Sequence, residues 1–523
     1  MEILESFVHG EWIRGSGKAS ALHNPTTEEI VAETSTTGID FGKAVAHARE
    51  EGGHNLRAMT YAERGDVLKT MSKVIHANRD ALIELAILNG GNTRGDAKFD
   101  IDGAMGTLAY YAELGKTLGA QRFLLDGDGI QLGRSPRFFG QHVFLPRRGV
   151  AVHINAFNFP AWGLAEKAAC AILAGMPVIS KPATSTALVA YKLVKLFDEA
   201  KCLPRGSFTF VAGSAGDLLS HLTGQDVVAF TGSSDTGTTI RMMENLQKAS
   251  VRINVEADSL NGAVLGPDAG PGSETYRLFL NDVFRDMTQK AGQKCTAIRR
   301  IFVPKAHFDQ VKEDLVERLK AVKVGDPALE GVVVGPLATA QQKRDVTAGI
   351  ELLAKEAAVL VGGTGPFEKA GVAGNKGYFV QPTLLASEAP ETLARVHDHE
   401  VFGPVATLLC TSDKAAEIAG LVARGGGGLV SSVYSDDRDF AADMIFEIGP
   451  WHGRLVMGSE KIADQMPGPG TVLPHTIHGG PGRAGGGEEL GGARGLAFYS
   501  QRTAVQGSRP ILDAIFGKKE AKA

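Results

Sequence analysis

Through residues 38–120 apolar side chains recur at three- and four-residue spacing. Ala62-Glu63-Arg64-Gly65-Asp66-Val67-Leu68-Lys69-Thr70-Met71 and the stretch after it are examples, and the pattern predicts helices. From Gln121 to Gly149 the texture changes. Phe123-Leu124-Leu125, Asp126-Gly127-Asp128-Gly129 and Ile130-Gln131-Leu132 predict strand, tight turn, strand. From Val150 onward, short apolar strands alternate with helices. Val150–Ile154, Pro177–Lys181, Phe208–Val211 and Val227–Phe230 read as strands, with a helix over Leu164–Leu173. This alternation predicts an α/β fold with a mostly parallel, doubly wound sheet. A second α/β stretch runs from about Asn261 to Met466, with strands at Arg299–Val303 and Val405–Cys410. Pro467 to Gly495 reads as a glycine-rich loop, and no solenoid repeat is present.

A chain of 523 residues is too long for one hydrophobic core, so more than one domain is expected. The 65 glycines show no collagen-like period and read as turns and close backbone approaches. A net charge of −4 argues against a nucleic-acid partner. The basic tail Gly517-Lys518-Lys519-Glu520-Ala521-Lys522 reads as a solvated terminus. Met1-Glu2-Ile3-Leu4-Glu5 lacks the features of a signal peptide. The longest apolar run, Ala168–Ile179, is shorter than the roughly 20 residues a membrane helix needs, so it reads as core and no membrane partner is expected. Cys170, Cys202, Cys295 and Cys410 are far apart without metal-ligand spacing. Free thiols in the cytoplasm, and no metal, are the expectation.

Four segments carry candidate chemistry. Cys295 lies in Gln289-Lys290-Ala291-Gly292-Gln293-Lys294-Cys295-Thr296, a polar, cation-rich setting of the kind that lowers a thiol pKa, whereas the other three cysteines read as small buried hydrophobes. Glu256 ends the strand-like Val251–Glu256; it reads either as a solvent-facing carboxylate or as a general base near a cysteine. Asn158, in Phe157-Asn158-Phe159-Pro160, is either a turn former or an amide donor to an oxyanion. Phe230-Thr231-Gly232-Ser233-Ser234-Asp235-Thr236-Gly237 is a strand-to-helix turn that could seat a phosphate at a helix N-terminus. It lacks the G-x-G-x-x-G spacing.

Taken in order, Asn158-Phe159-Pro160, Lys181-Pro182-Ala183, Phe230-Thr231-Gly232-Ser233, Glu256, Gly292-Gln293-Lys294-Cys295 and Glu400-Val401-Phe402-Gly403-Pro404 resemble the signature of the aldehyde dehydrogenase superfamily across nearly the whole chain. The resemblance implies a Rossmann-type cofactor domain (1–120 and 150–260), an α/β catalytic domain (261–466) and a bridging β oligomerisation element (121–149 and 496–515). A glycine-rich active-site segment (467–495) completes the chain. It implies Cys295 as nucleophile, Glu256 as the base for deacylation and Asn158, with the backbone N–H of Cys295, as the oxyanion hole. Lys167 and Glu489 match a proposed proton-relay pair. Lys181 matches a ribose contact, Gly232 and Ser233 the pyrophosphate turn, Glu400 the nicotinamide-ribose carboxylate, and Phe402 a group beside the nicotinamide. Ile154 and Phe157 fall in the same cofactor-binding set. A homo-oligomer, dimer or tetramer, is implied by the exposed hairpin edge.

Many NAD-preferring relatives carry a glutamate three residues after the lysine corresponding to Lys181. Here that position is Thr184, so NADP preference is expected, with NAD possible. Two segments depart from the common pattern: Ala257-Asp258-Ser259-Leu260-Asn261, and His478-Gly479-Gly480-Pro481-Gly482-Arg483-Ala484-Gly485-Gly486-Gly487-Glu488-Glu489-Leu490. Both are similar to the branch of the superfamily that oxidises coenzyme A-linked semialdehydes in aromatic-compound degradation, of benzoate and phenylacetate. Because the chain ends at Ala523, a stand-alone dehydrogenase is expected over a fusion with a hydratase. The glycine-rich segment reads either as a wide entrance for coenzyme A or as a packing loop. Two rivals stand beside this reading. One is a CoA-acylating dehydrogenase, which typically lacks the glutamate at Glu256. The other is a non-catalytic protein on the same scaffold.

Overall fold

The computed structural model describes residues 2–517; the basic tail beyond Gly517 lies outside them. Five short strands occupy Glu2–Thr34, and from Phe41 to Leu118 the chain is helical as the periodicity predicts. Thr60 and Glu63 form a capping box that starts the helix Tyr61–Ala77, and Thr93 with Asp96 does the same for Arg94–Leu118.

One seven-stranded sheet runs, from edge to edge, Arg252–Glu256, Val227–Thr231, Ala151–Ile154, Val178–Lys181, Phe208–Phe210, Ser6–Val8, Glu11–Ile13. The first five strands are parallel. The chain enters at the antiparallel edge, Ser6–Val8 and Glu11–Ile13; the parallel part starts in the middle at Ala151–Ile154, winds outward to Phe208–Phe210, then returns to the other side of Ala151–Ile154. The order therefore reverses between Ala151–Ile154 and Val227–Thr231. A crevice at the carboxyl ends of such strands is where doubly wound sheets bind ligands. Ile154, Lys181, Thr231 and Glu256 are the last residues of their strands.

The apolar strands are explained by cover on both faces. One face packs on the helices Trp162–Ala174 and Ala187–Glu199, and the other on Phe41, Val45, Ile240 and Leu246. The run Ala168–Ile179 is buried throughout, as expected of core.

A second seven-stranded sheet runs Ala358–Val361, Thr383–Ser387, Val405–Thr411, Arg300–Pro304, Gly262–Leu265, Gly428–Tyr434, His452–Gly458, parallel except for its first strand. It too is cored on both faces. A third sheet is antiparallel. Ser500–Ser508 pairs along Phe138–Pro146, which pairs with Leu124–Gln131.

Two local expectations change. Asp126-Gly127-Asp128-Gly129 is not the hairpin turn. It lies inside the strand Leu124–Gln131, where the register with Phe138–Pro146 shifts between Asp126 and Ile130, and the chain reverses after Gln131. A local Asp-Gly signal cannot tell a bulge from a turn when the partner strand decides the register. Nor is 467–495 wholly loop. Ile477–Gly480 and Gly487–Leu490 form an antiparallel hairpin, pairing His478 with Glu489. Its glycines hide the period-2 pattern, because they are there to admit neighbouring backbone. A Cβ on Gly485 (φ +102°) would lie 2.2 Å from the carbonyl oxygen of Val255, in the strand that ends at Glu256.

Candidate active site

The loop that carries Cys295 follows the helix Glu274–Thr288. Lys290, Ala291 and Gly292 all take positive φ (54°, 50° and 67°), two of them at a cost only surrounding packing can maintain. Gly292 is obligatory, since a Cβ there would sit 2.2 Å from the carbonyl oxygen of Gly403. Arg299 ties the loop down, donating to the carbonyls of Gly292, Lys294 and Gly403. Asn261 donates to the carbonyls of Cys295 and Ala297.

The lysines that made the segment look activating are turned away from the sulfur. Lys294 Nζ pairs with Asp286 Oδ1 at 2.6 Å, and Lys290 Nζ donates to Asn92. Burial, then the carboxylates of Glu256, Glu166 and Glu400, push the Cys295 thiol well above its ordinary range. The expectation of a lysine-depressed thiol is therefore corrected, because a flexible side chain's direction is set by its tertiary partner and not by its neighbours in sequence. Of the other cysteines, only Cys170 is fully buried; Cys202 and Cys410 are partly exposed, and all four are free.

Glu256 is 3% exposed, which removes the solvent-facing alternative. Its Oε1 lies 3.2 Å from His478 Nε2, and the same nitrogen is 3.9 Å from Cys295 Sγ. Burial pushes the Glu256 carboxyl up. Attraction and hydrogen bonding from His478, with help from Lys167, outweigh it and hold the group below the usual carboxylate range. His478 responds in the opposite sense. Burial lowers it, but Glu256 and Glu166 raise it above an ordinary histidine.

Behind Glu256 is a buried charged cluster. Lys167 Nζ lies 3.1 Å from Glu489 Oε2 and 3.3 Å from Glu166 Oε1. Carboxylate oxygens of Glu166, Glu256 and Glu489 lie within 4.8 Å of one another. Burial and the neighbouring carboxylates Glu489 and Glu256 push Glu166 up to about 7 against the pull of Lys167 and His478. Lys167 is raised despite its burial, because Glu489 and Glu166 surround it. Asn158 Nδ2 donates to the carbonyl of Gln293 at 3.0 Å, which brings its amide to the Cys295 loop.

The sulfur stands at the junction of two cavities. A large one of about 1100 Å³ opens along the strand ends. It is lined by Ile154, Phe157, Lys181, Gly232, Ser233, Glu400 and Phe402 as well as Asn158, Glu256 and Cys295. Thr184 is not among its lining residues; Ala183 is, and Thr184 opens the short helix Thr184–Thr186 beside it. The second cavity is narrow and lies on the far side of Cys295, between Phe99, Phe159, Trp162, Lys167, Val472 and His478.

The large cavity suits a dinucleotide. Burial lowers the Lys181 ammonium at its edge. Ser233 caps the helix Ser234–Arg241, whose N-terminus faces the cavity. Glu400 Oε2 accepts from Ser259 N–H, while its buried Oε1 has no hydrogen-bond partner among the described residues and lies 3.5 Å from Arg299 Nε. Phe402 packs edge-on to Phe157, with ring centroids 5.8 Å apart.

Four site residues escaped the sequence reading. His478 was hidden in a glycine-rich run, Glu166 lay without a motif in the helix predicted over Leu164–Leu173, and Asn261 and Arg299 bore no motif. Asp258 also gains a place, holding Ser234 N–H and Oγ at the helix N-terminus (3.2 and 2.8 Å). The unusual Ala257–Asn261 segment thus links the helix, Glu400 and the Cys295 loop.

Two α/β layers with a cysteine between a dinucleotide-sized cleft and a narrow second opening define a nicotinamide-dependent oxidoreductase of aldehydes. Comparison with known proteins makes the assignment specific: residues 12–505 match the aldehyde dehydrogenase family, and the chain belongs to it. It is 45% identical to the 3,4-dehydroadipyl-CoA semialdehyde dehydrogenase of Aromatoleum evansii over 478 residues, 91% of this chain and 93% of that one. It is 32% identical to cytosolic aldehyde dehydrogenase 1 of Elephantulus edwardii, over 83% of each chain. Among solved structures, an aldehyde dehydrogenase from Bacillus cereus in complex with NAD+ superposes with a TM-score of 0.83 at 25% identity, covering 97% of both chains. Betaine aldehyde dehydrogenase of Staphylococcus aureus, also with NAD+, gives 0.83 at 23% identity over 96% of this chain and 94% of that one. No helix among the described residues is long and apolar enough to cross a membrane.

Proposed function

We propose that this protein oxidises a semialdehyde carried on coenzyme A, 3,4-dehydroadipyl-CoA semialdehyde, to the free carboxylic acid. On this reading NADP is the preferred hydride acceptor and water the acyl acceptor. One observation carries the chemistry: Cys295 and buried Glu256 converge, with His478, where the two cavities meet. The 45% identity to the Aromatoleum evansii protein supports this choice of substrate.

Cys295 sulfur attacks the aldehyde carbon, entering from the narrow cavity, to form a thiohemiacetal. The oxyanion is held by the Asn158 amide and the Cys295 backbone N–H. The nicotinamide, when bound, supplies the hydride acceptor. Lys181, Gly232, Ser233, Glu400, Phe402, Ile154 and Phe157 bind and orient it. Thr184, without a carboxylate, leaves room for a 2′-phosphate. Glu256 takes a proton from the water that cleaves the thioester, and Lys167, Glu489 and Glu166 carry that proton away.

The domain division follows the same reading. Residues 1–120 and 150–260 bind cofactor, 261–466 carry the nucleophile, 121–149 with 496–515 join subunits, and 467–495 close the site. Exposed Ile130, Phe138, Leu145, Ile511 and Ile515 support a homodimer or tetramer through the third sheet. The setting is the cytoplasm, in the degradation of benzoate or a similar aromatic compound.

The test is a substrate panel: free semialdehydes against CoA-linked ones, each with NAD and NADP. The expected result is the highest kcat/KM for the CoA-linked semialdehyde with NADP and release of the free acid. Acyl-CoA made from a simple aldehyde and free CoA would overturn the hydrolytic reading. Absence of any hydride burst would leave a non-catalytic scaffold.

A further inference from the structure

We propose that His478 is a catalytic residue, its imidazolium holding the Cys295 thiolate, so that the nucleophile works as a cysteine–histidine pair with Glu256 as third member. The proposal rests on reading Cys295 as the nucleophile, but not on the identity of the aldehyde.

The geometry is specific. His478 Nε2 is within reach of both Glu256 Oε1 (3.2 Å) and Cys295 Sγ (3.9 Å), and His478 and Glu256 are each 3% exposed. A thiolate here needs a cation. Lys290 and Lys294 are turned away. Arg299 and Arg454 direct their Nη groups at carbonyl oxygens, Arg454 at those of Thr471 and Pro469, and no hydrogen bond joins either to the sulfur among the described residues. His478 is the cation with a hydrogen-bonding nitrogen at the sulfur.

Its position is built in. The hairpin Ile477–Gly480/Gly487–Leu490 sets His478 opposite Glu489. That hairpin is fastened to the Glu256 strand by Asn254, which accepts from Glu488 N–H and donates to Glu489 Oε1. The imidazole is therefore registered against Glu256 by strand pairing within the hairpin and by the Asn254 side chain that ties the hairpin to the Glu256 strand.

The charged groups acting on His478 are Glu256 from its strand, Glu166 from the helix Trp162–Ala174, and Arg454 from the edge strand His452–Gly458. The two carboxylates outweigh Arg454 and raise the imidazole above an ordinary histidine; on this proposal the resting cluster is thiol, imidazolium and carboxylate. Activation moves one proton within it. The Cys295 S–H bond breaks, sulfur keeps the electron pair, and an O–H bond forms on Glu256. The imidazolium keeps its proton and faces the thiolate. Total charge is unchanged, which suits a buried site. The transfer also neutralises the nearest carboxylate that opposed the thiolate.

The test reads the thiol alone. Alkylation of the cofactor-free protein by iodoacetamide is followed against pH, with Cys295 identified by peptide mass spectrometry. A thiolate drawn from an internal proton transfer reacts at a rate that is flat through the neutral range. An isolated buried thiol reacts with a single rise at alkaline pH. The wild type is expected to show the neutral plateau, and a single alkaline rise overturns the proposal whatever the variants do. In His478→Gln the plateau is expected to vanish, with alkylation at pH 7 slowed about tenfold or more and recovered at alkaline pH. An unchanged profile in a His478→Gln protein of wild-type melting temperature also overturns it. Because no aldehyde is used, failure here is distinct from failure of the proposed substrate.

Discussion

Asn261 Nδ2 donates to the carbonyl oxygen of Cys295 at 2.8 Å, so the Cys295 backbone is held by the residue that leads into the strand Gly262–Leu265 and not from its own loop. The same amide nitrogen reaches Ala297 O at 2.9 Å, and Asn261 Oδ1 accepts from Val430 N–H. Removing the amide leaves buried carbonyls unpaired. Asn261→Ala is expected to cost about 1–3 kcal/mol and to lower the hydride burst rate more than cofactor affinity. Thermal melts and stopped-flow absorbance at 340 nm check the two effects separately.

Cys295→Ala is expected to abolish the burst, since no other thiol borders the two cavities. Glu256→Gln is expected to keep the burst and slow acid release by about 10²–10⁴-fold, the usual worth of a general base. The burst survives because His478, without its carboxylate, turns neutral and can take the thiol proton itself. Normal turnover by Glu256→Gln, measured in steady state, would require another base.

Glu400 predicts a pH dependence of cofactor binding. Burial pushes its carboxyl up to about 7 from 4.5, against the attraction of Arg299. A carboxyl raised on folding binds more protons folded than unfolded between those values, so its contribution to stability falls as pH rises from 4.5 through 7. Cofactor affinity is expected to move the other way. The ionised carboxylate is an acceptor for ribose hydroxyls, so binding should tighten as pH rises through about 7. Fluorescence titration with reduced cofactor should show this, and Glu400→Gln should bind more weakly with a flat profile.

Thr184→Glu places a carboxylate beside the end of the cleft. At an effective dielectric of 20, a like charge about 4 Å away costs about 4 kcal/mol. The ratio of kcat/KM with NADP to that with NAD is expected to fall at least about tenfold. An unchanged ratio would show that Thr184, which does not line the cavity, has no part in cofactor choice.

Gly485→Ala tests the hairpin that carries His478. A methyl group there meets the Val255 carbonyl at 2.2 Å and a φ of +102°. Destabilisation of ~1–3 kcal/mol is expected, with acid release slowed because Glu256 is the next residue. Melting temperature and single-turnover hydrolysis measure the two.

Much of this molecule was legible before any coordinate. Apolar runs at Val150–Ile154, Val178–Ile179 and Val227–Phe230 mark buried parallel strands, because a strand covered on both faces has no polar positions to show. The ordered blocks around Asn158, Lys181, Gly232, Glu256, Cys295 and Glu400 named residues that line one cavity. Turn position was not legible in Asp126–Gly129, where pairing with Phe138–Pro146 decided that the glycines form a bulge.

The sequence by itself determined which residues could react and in what order they occur, since residue type and local periodicity are properties of the chain. The tertiary structure decided how they are charged. Lys290 and Lys294 flank Cys295 in sequence yet point to Asn92 and Asp286, while His478, 183 residues away, stands at the sulfur. Electrostatic energy depends on distance through space and on burial, and neither can be read along a chain.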